Sequence, residues 1–152
     1  MIPSFRQVQL SDVVQLHQNC WSETSSAYVE DLVRRAIRLY EQKRGGAIVA
    51  LHNERAIGYG MLTIWGTLGE ISDLIVTPAY RRQGIGTCII HQICFLAIDL
   101  GIYEVEIGAL AENVDAIRLY ERLGFVRHRQ LTLQSGNMPQ TLIYLHKNLL
   151  TM

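Results

Sequence analysis

Apolar and polar positions alternate from Phe5 to Leu10, which predicts a first strand. The period then lengthens. Val13, Leu16 and Cys20 fall on one face of a short helix that Ser11 or Asp12 can cap, with Trp21 near its end. After a polar break at Ser22–Ser26, Tyr28, Leu32, Ala36 and Leu39 recur at helical spacing and predict a second helix, ended by Gly45-Gly46. The runs Ala47–Leu51 and Ala56–Ile64 flank His52-Asn53-Glu54-Arg55 and predict a hairpin. Gly66 and Gly69 bracket the next turn, and Glu70–Thr77 reads as a strand that stops at Pro78.

The longest periodic segment follows, with Ile85, Ile89, Ile93, Leu96 and Leu100 on one helical face and Gly101 as its C-terminal stop. Tyr103, Val105 and Ile107 alternate with Glu104 and Glu106 in a further strand. Asn113 caps a helix that turns Ala116, Ile117, Tyr120 and Leu123 inward, and Gly124 ends it. Phe125–Leu133 and Thr141–Leu145 are the last strands, joined across Ser135–Pro139. The order β-α-α-β-β-β-α-β-α-β-β predicts an α/β layered domain, a mixed sheet with helices packed on it.

Composition narrows the class without naming a chemistry. The chain has 152 residues, 49% hydrophobic and 18% charged, which suits one globular domain over 1–152 with a full core. Fourteen basic and fourteen acidic residues cancel, so no global field favours nucleic acid or an anionic membrane. No apolar run reaches spanning length, and Met1–Arg6 lacks the apolar stretch of a signal peptide. Cys20, Cys88 and Cys94 form no C-x-x-C pair and read as small core residues of a reducing compartment, so a cytoplasmic location is expected. The five histidines are scattered without metal-ligand spacing, and no metal is expected.

The chemistry concentrates at Leu74–Thr87. An apolar strand runs into Arg81-Arg82-Gln83-Gly84-Ile85-Gly86-Thr87 and then directly into a helix. Such a junction gathers free N–H groups and the positive end of a helix dipole, and glycines let an anion come close. A Walker loop needs a lysine after the last glycine, and a dinucleotide fingerprint needs a third glycine; both are missing. Two glycines alone equally describe a sharp strand-to-helix turn.

Two motifs together say more. Arg81-x-x-Gly84-x-Gly86, preceded by Val76 and Pro78, resembles the acyl-CoA-binding signature of the GNAT superfamily of N-acetyltransferases. Asn113-x-x-Ala116-x-x-x-Tyr120-x-x-x-Gly124-Phe125 resembles its closing motif, and the element order along nearly the whole chain matches. The resemblance implies a mixed, mostly antiparallel twisted sheet flanked by helices, and acetyl-CoA as acyl donor without a metal. It implies that the backbone of Leu74, Ile75 and Val76 pairs with pantetheine. The amides of Arg82, Gln83, Gly84, Ile85, Gly86 and Thr87 would hold the pyrophosphate, with Arg81, Arg82 and the Thr87 hydroxyl adding contacts.

Asn113 and Ala116 complete the cofactor side by the same resemblance, and Tyr120 occupies the position of the proton donor to the leaving sulfur. Glu70 matches the general-base glutamate of one branch. Asp73, at odd spacing from Glu70, is expected on the opposite strand face. Each residue also has a structural reading: Asn113 as a cap, Tyr120 as core, Glu70 as an exposed strand start. The resemblance also implies that Trp21 and Tyr28 stand where the first helices wall the acceptor pocket, with hydrophobic packing as their structural reading; Trp65 and Tyr80 are weaker candidates for substrate contact.

The function expected is direct transfer from acetyl-CoA to a primary amine of a small molecule or protein, with a homodimer among the possible assemblies. Transfer through a cysteine is disfavoured because Cys88 and Cys94 lie along the helix after the turn. The alternatives are a non-catalytic acyl-CoA-binding module and a phosphate-binding nucleotide enzyme.

Overall fold

The computed structural model describes residues 2–151. Its strands are β1 (Ser4–Gln7), β2 (Gly45–His52), β3 (Arg55–Trp65), β4 (Leu68–Val76), β5 (Glu104–Leu110), β6 (Val126–Ser135) and β7 (Met138–Asn148). Its helices are α1 (Val13–Cys20), α2 (Ser26–Glu41), α3 (Ile85–Asp99) and α4 (Val114–Arg122). The strands form one sheet in the order β1-β2-β3-β4-β5-β7-β6. Only β4 and β5 run parallel; the remaining neighbours are antiparallel.

The sheet separates two apolar layers. On one face Ile85, Ile89, Ile93 and Leu96 of α3, with Ile117 and Tyr120 of α4, pack against Ile71, Val105, Ile107 and Leu145. On the other face Val13 and Leu16 of α1 and Val29, Leu32, Val33 and Ala36 of α2 pack against Tyr59 and Met61. A strand covered on both faces should read as a nearly continuous apolar run, and Ala56–Leu62 does so with two glycines among it. Those glycines make room for the helix: a Cβ at Gly60 would lie 2.6 Å from Ile89 and 2.7 Å from Ile93.

Several sequence expectations shift. Strand β1 ends at Gln7, because residues 8–12 turn into a 3₁₀ segment held by Asp12, which accepts from the Gln9 amide and pairs with Arg6 at 2.8 Å. In α2 the buried row is Val29, Leu32, Val33 and Ala36, so Tyr28 faces outward. Gly45-Gly46 does not end the helix but begins β2, two residues after Lys43 has turned the chain with φ 58°. The last two strands extend to Ser135 and Met138, leaving only a two-residue turn where a longer loop was expected. Of the cysteines only Cys94 is buried; Cys88 is exposed on α3 and Cys20 is half-buried.

The face of β5 away from α3 carries charge under cover. Glu106 is 4% exposed and accepts from Arg129 of β6 at 2.6 Å, and the Arg129 guanidinium lies 4.0 Å from the centroid of the Tyr144 ring. Removing one member of such a pair strands the other charge. Arg129→Ala is expected to cost about 2–3 kcal/mol, at or below the lower end for a buried pair because the arginine is half exposed. Thermal unfolding should show a clear drop in Tm, and Glu106→Gln in the same chain should restore most of it.

Candidate functional site

The site begins where β4 leaves β5. The two strands pair only from Leu68–Glu104 to Ile71–Ile107, after which β5 continues along β7 while β4 turns away. The β4 edge from Ser72 to Val76 therefore faces an opening instead of a neighbour. This gap holds the backbone of Leu74, Ile75 and Val76, the three positions expected to meet an extended ligand. Their side chains pack inward, Leu74 and Val76 toward α3 and Ile75 toward α2.

At the end of β4 the chain makes a short 3₁₀ turn at Pro78–Tyr80 and then reaches the glycine turn. Arg82 adopts φ 63° and Gly84 φ 80°, and Gly84 is the N-cap of α3. Left-handed backbone at the cap suits glycine, and it lets the chain reverse into the helix with its first amides pointing outward. A Cβ on Gly86 would meet only Val76, at 3.9 Å, so the surface over the first turn is open.

A cavity of about 450 Å³ lies over this turn. It is lined by Val76, Arg81, Arg82, Gly84, Ile85, Gly86 and Thr87 of the expected set, joined by Tyr80 and by Asp115, Leu119 and Arg122 of α4. Three arginines face one carboxylate there, so the local field favours an anion although the whole chain is neutral. Arg81 also donates through Nε to the Val76 carbonyl at 3.0 Å, which ties the turn to the end of β4. His52 Nδ1 and the Tyr80 hydroxyl are hydrogen-bonded at 2.9 Å, bracing the same turn against the β2–β3 hairpin.

The other expected residues lie outside that cavity lining. Gln83 is exposed in the turn. Asn113 caps α4, accepting from the Ala116 amide at 3.3 Å, so the structural role foreseen for it is realised. Tyr120 is buried among the α4 core residues beside Phe125, and burial raises its phenol above the ordinary value. None of the side-chain hydrogen bonds among the described residues uses its hydroxyl.

Glu70 lies on the opposite side of the sheet from α3, opposite Thr63 of β3 and Glu106 of β5. It accepts from Trp65 Nε1 at 3.0 Å. With Arg35, Arg44, Trp65 and Ser72 it lines a second cavity of about 330 Å³ between α2 and the sheet. Trp65 thus joins Glu70, whereas Tyr80 belongs to the anion-facing cavity.

Asp73 departs from the sequence expectation. The β3–β4 register slips between Tyr59–Ile75 and Met61–Ser72, and Asp73 takes φ 54° in the resulting bulge. The bulge resets the alternation: Ser72 Oγ donates to Asp73 Oδ2 at 3.0 Å, and the Asp73 charge acts on Tyr59, which belongs to the α1–α2 layer. Counting by two from Glu70 assumes an uninterrupted strand, and this one is interrupted.

Arg122, Asp115 and Leu119 were not anticipated from the sequence. Their spacing, with Leu119 and Arg122 four and seven positions beyond Asp115, does put them on one face of α4, but only the packed helix aims that face at the turn. Among the described residues there is no cluster of three His, Cys, Asp or Glu side chains able to hold a metal, and no helix is long and apolar enough to cross a membrane.

Comparison with known proteins agrees with this geometry. The sequence profile of the acetyltransferase (GNAT) family matches residues 10–125. N-alpha-acetyltransferase 30 of Schizosaccharomyces pombe is 32% identical over 127 residues, covering 80% of this chain and 81% of that protein. The Xenopus laevis protein of the same name is 38% identical over 63 residues, 41% of this chain, and the match spans only 23% of its length. Thialysine N-epsilon-acetyltransferase of Sus scrofa is 36% identical over 85 residues, 53% of this chain and 48% of that protein. Among solved structures, a GNAT family acetyltransferase from Elizabethkingia anophelis with acetyl-CoA bound superposes with a TM-score of 0.70 at 16% identity, covering 96% of this chain and 97% of that one.

Proposed function

Because the chain belongs to the acetyltransferase (GNAT) family, we propose that it is an acetyl-CoA-dependent N-acetyltransferase acting on a primary amine by direct transfer. The observation that carries this reading is the juxtaposition of the unpaired β4 edge with the arginine-lined cavity over the α3 N-terminus. A long ligand with a diphosphate at one end and an amide-bearing arm at the other matches both parts. The fit is specific: the open turn accepts the diphosphate, and the strand edge offers unpaired donors and acceptors to the arm.

When bound, acetyl-CoA supplies an activated thioester. The chain's own residues do the remainder. First-turn amides of α3, with Arg81, Arg82 and Arg122, hold negative charge, each favourable interaction with the helix end being worth about 0.3–1 kcal/mol when exposed. The open β4 edge orients the arm and leaves an amide near Val76 to polarise a carbonyl. Tyr120 keeps its proton at neutral pH, because burial disfavours phenolate, and serves as the proton donor. Glu70 is a candidate base on the acceptor side.

The acceptor is an amine whose class the relatives leave open: one is named for an α-nitrogen and another for the ε-nitrogen of thialysine. The three free cysteines suit a reducing, cytoplasmic setting. Strand β6, an edge of the sheet with Leu131 and Leu133 exposed, is the surface on which a homodimer would pair.

The test is free-thiol release from acetyl-CoA across a panel of peptides with free N-termini, lysine analogues and simple amines. Turnover on at least one class is expected. Tight CoA binding with no turnover on any would instead make the chain a non-catalytic acyl-CoA-binding module. In the same assay Arg122→Ala is expected to raise KM for acetyl-CoA several-fold with kcat little changed, since the arginine lines the anion-facing cavity.

A further inference from the structure

The cavity between α2 and the sheet carries a charge pattern that the cofactor site does not use. Two cations, Arg35 of α2 and Arg44 from the connection to β2, line it together with a single carboxylate, Glu70. No ion pair joins either arginine to Glu70 among the described residues; the carboxylate accepts from Trp65 instead. Arg35 donates only to the Met61 thioether, a weak acceptor, at 3.9 Å. The Arg44 side chain has no hydrogen-bond or ion-pair partner among the described residues. The cavity therefore holds two uncompensated guanidinium groups against one engaged carboxylate.

Arg44 is nonetheless fixed at its root. Lys43 turns the chain with φ 58°, the Arg44 amide donates to the Leu39 carbonyl at 2.8 Å, and the Arg44 carbonyl accepts from the Ile64 amide at 2.9 Å. A fixed root reduces the freedom lost when a long side chain closes on a ligand. The cavity also meets the donor end of the site, because Ser72 belongs to its lining and is the first residue past the last β4–β5 pair. Ile64, beside the Arg44 root, pairs with Gly69, three positions before Ser72. That spacing puts the root roughly 10 Å along the strand from the opening. Trp65, 60% exposed, adds an apolar ring to the lining.

Resting on the acetyltransferase reading, we propose that the acceptor is a small amine carrying an anionic group several bonds from its nitrogen, a carboxylate or a phosphate, which Arg35 and Arg44 hold. Guanidinium groups grip either oxyanion through several charge-assisted hydrogen bonds. The amine end then lies toward Ser72 and Glu70, and the intervening methylenes lie against Trp65. Glu70 alone would draw simple cations, but the two arginines reverse the sign of the cavity and disfavour polyamines. A volume of about 330 Å³ suits an occupant of this size.

The test is the thiol-release assay with γ-aminobutyrate and ε-aminocaproate, each beside its own neutral amide, and with γ-aminopropylphosphonate and putrescine. At least one acid should exceed its amide in kcat/KM by about 10-fold or more, with putrescine lowest. Whether carboxylate or phosphonate gains more identifies the anion. Both arginine side chains are exposed, so their substitution spares the core. Arg35→Gln and Arg44→Gln should each bring the acid-to-amide ratio below about threefold, and Arg44→Glu should put putrescine ahead of γ-aminobutyrate. Arg34→Gln, which removes a cation paired with Glu30 on the same helix, should leave the ratio unchanged. Acids no better than amides, or a ratio that Arg34→Gln lowers as much as Arg44→Gln does, overturns the proposal.

A binding measurement separates this proposal from the transfer reading. In the ¹⁵N-labelled chain, γ-aminobutyrate or ε-aminocaproate should shift the indole signal of Trp65, which is bonded to Glu70, and not that of Trp21, which packs on Tyr59. The amides should shift neither, and Arg44→Gln should abolish the response. A Trp65 shift without thiol release from any amine leaves the anion site standing while the transfer reading falls. No Trp65 shift with either acid or the phosphonate overturns the anion site, whatever the turnover.

Discussion

Tyr120→Phe is expected to lower kcat for acetyl transfer about 100-fold or more while leaving KM for acetyl-CoA within about twofold, in line with the roughly 10²–10⁴-fold contribution of a positioned proton donor. The substitution removes one oxygen from a side chain that is 7% exposed and packed beside Phe125, so the fold should be preserved. Burial raises the Tyr120 phenol, which keeps it protonated in the neutral range, as the proposed donor role requires. The informative measurement is single-turnover chemistry alongside steady-state rates, so that slow product release does not mask the loss. An unchanged chemical step would return Tyr120 to the role of a core aromatic, which its place on the apolar stripe of α4 also permits.

Gly45→Ala is expected to be the most damaging small substitution for the fold, destabilising by about 3 kcal/mol or more. Gly45 adopts φ 147°, and a Cβ there would overlap the backbone oxygen of Leu62. A flexible side chain could yield, but a strand carbonyl held in the β2–β3 ladder cannot, since Gly45 and Gly46 pair with Thr63 and Leu62. Denaturant unfolding should show a lower midpoint with an unchanged slope, or no cooperative transition. Gly84→Ala, where φ is 80° but a Cβ meets nothing within 4 Å, should cost far less, about 1 kcal/mol. The contrast between the two separates steric overlap from backbone strain.

The residues legible in the sequence are those whose role is local. The α3 stripe of Ile85, Ile89, Ile93 and Leu96 is buried as its spacing indicates, because one helix face against one sheet is a period-3.6 problem. The His52–Arg55 hairpin turn is also where expected, with Asn53 and Glu54 both at positive φ although the pair lacks the usual glycine. The glycine turn and the Asn113 cap follow from rules that span four or five residues. Tyr28 shows where local pattern fails. Its one-residue offset from Val29 selects a different face, and only the sheet beneath α2 decides between them.

The sequence by itself therefore determined the order of elements, the glycine turn and the family motifs, all of which depend on near neighbours along the chain. Tertiary structure alone decided what lies across from what. It inserted β7 between β5 and β6, ended the β4–β5 pairing at Ile71 to open the strand edge, and aimed Arg122 of α4 at the turn. It also placed a bulge at Asp73, reversing the face that period-two counting assigns. The physical reason is common to these cases: strand pairing and helix docking are settled by burial and hydrogen bonding between segments far apart in sequence, and no periodicity within one segment records them.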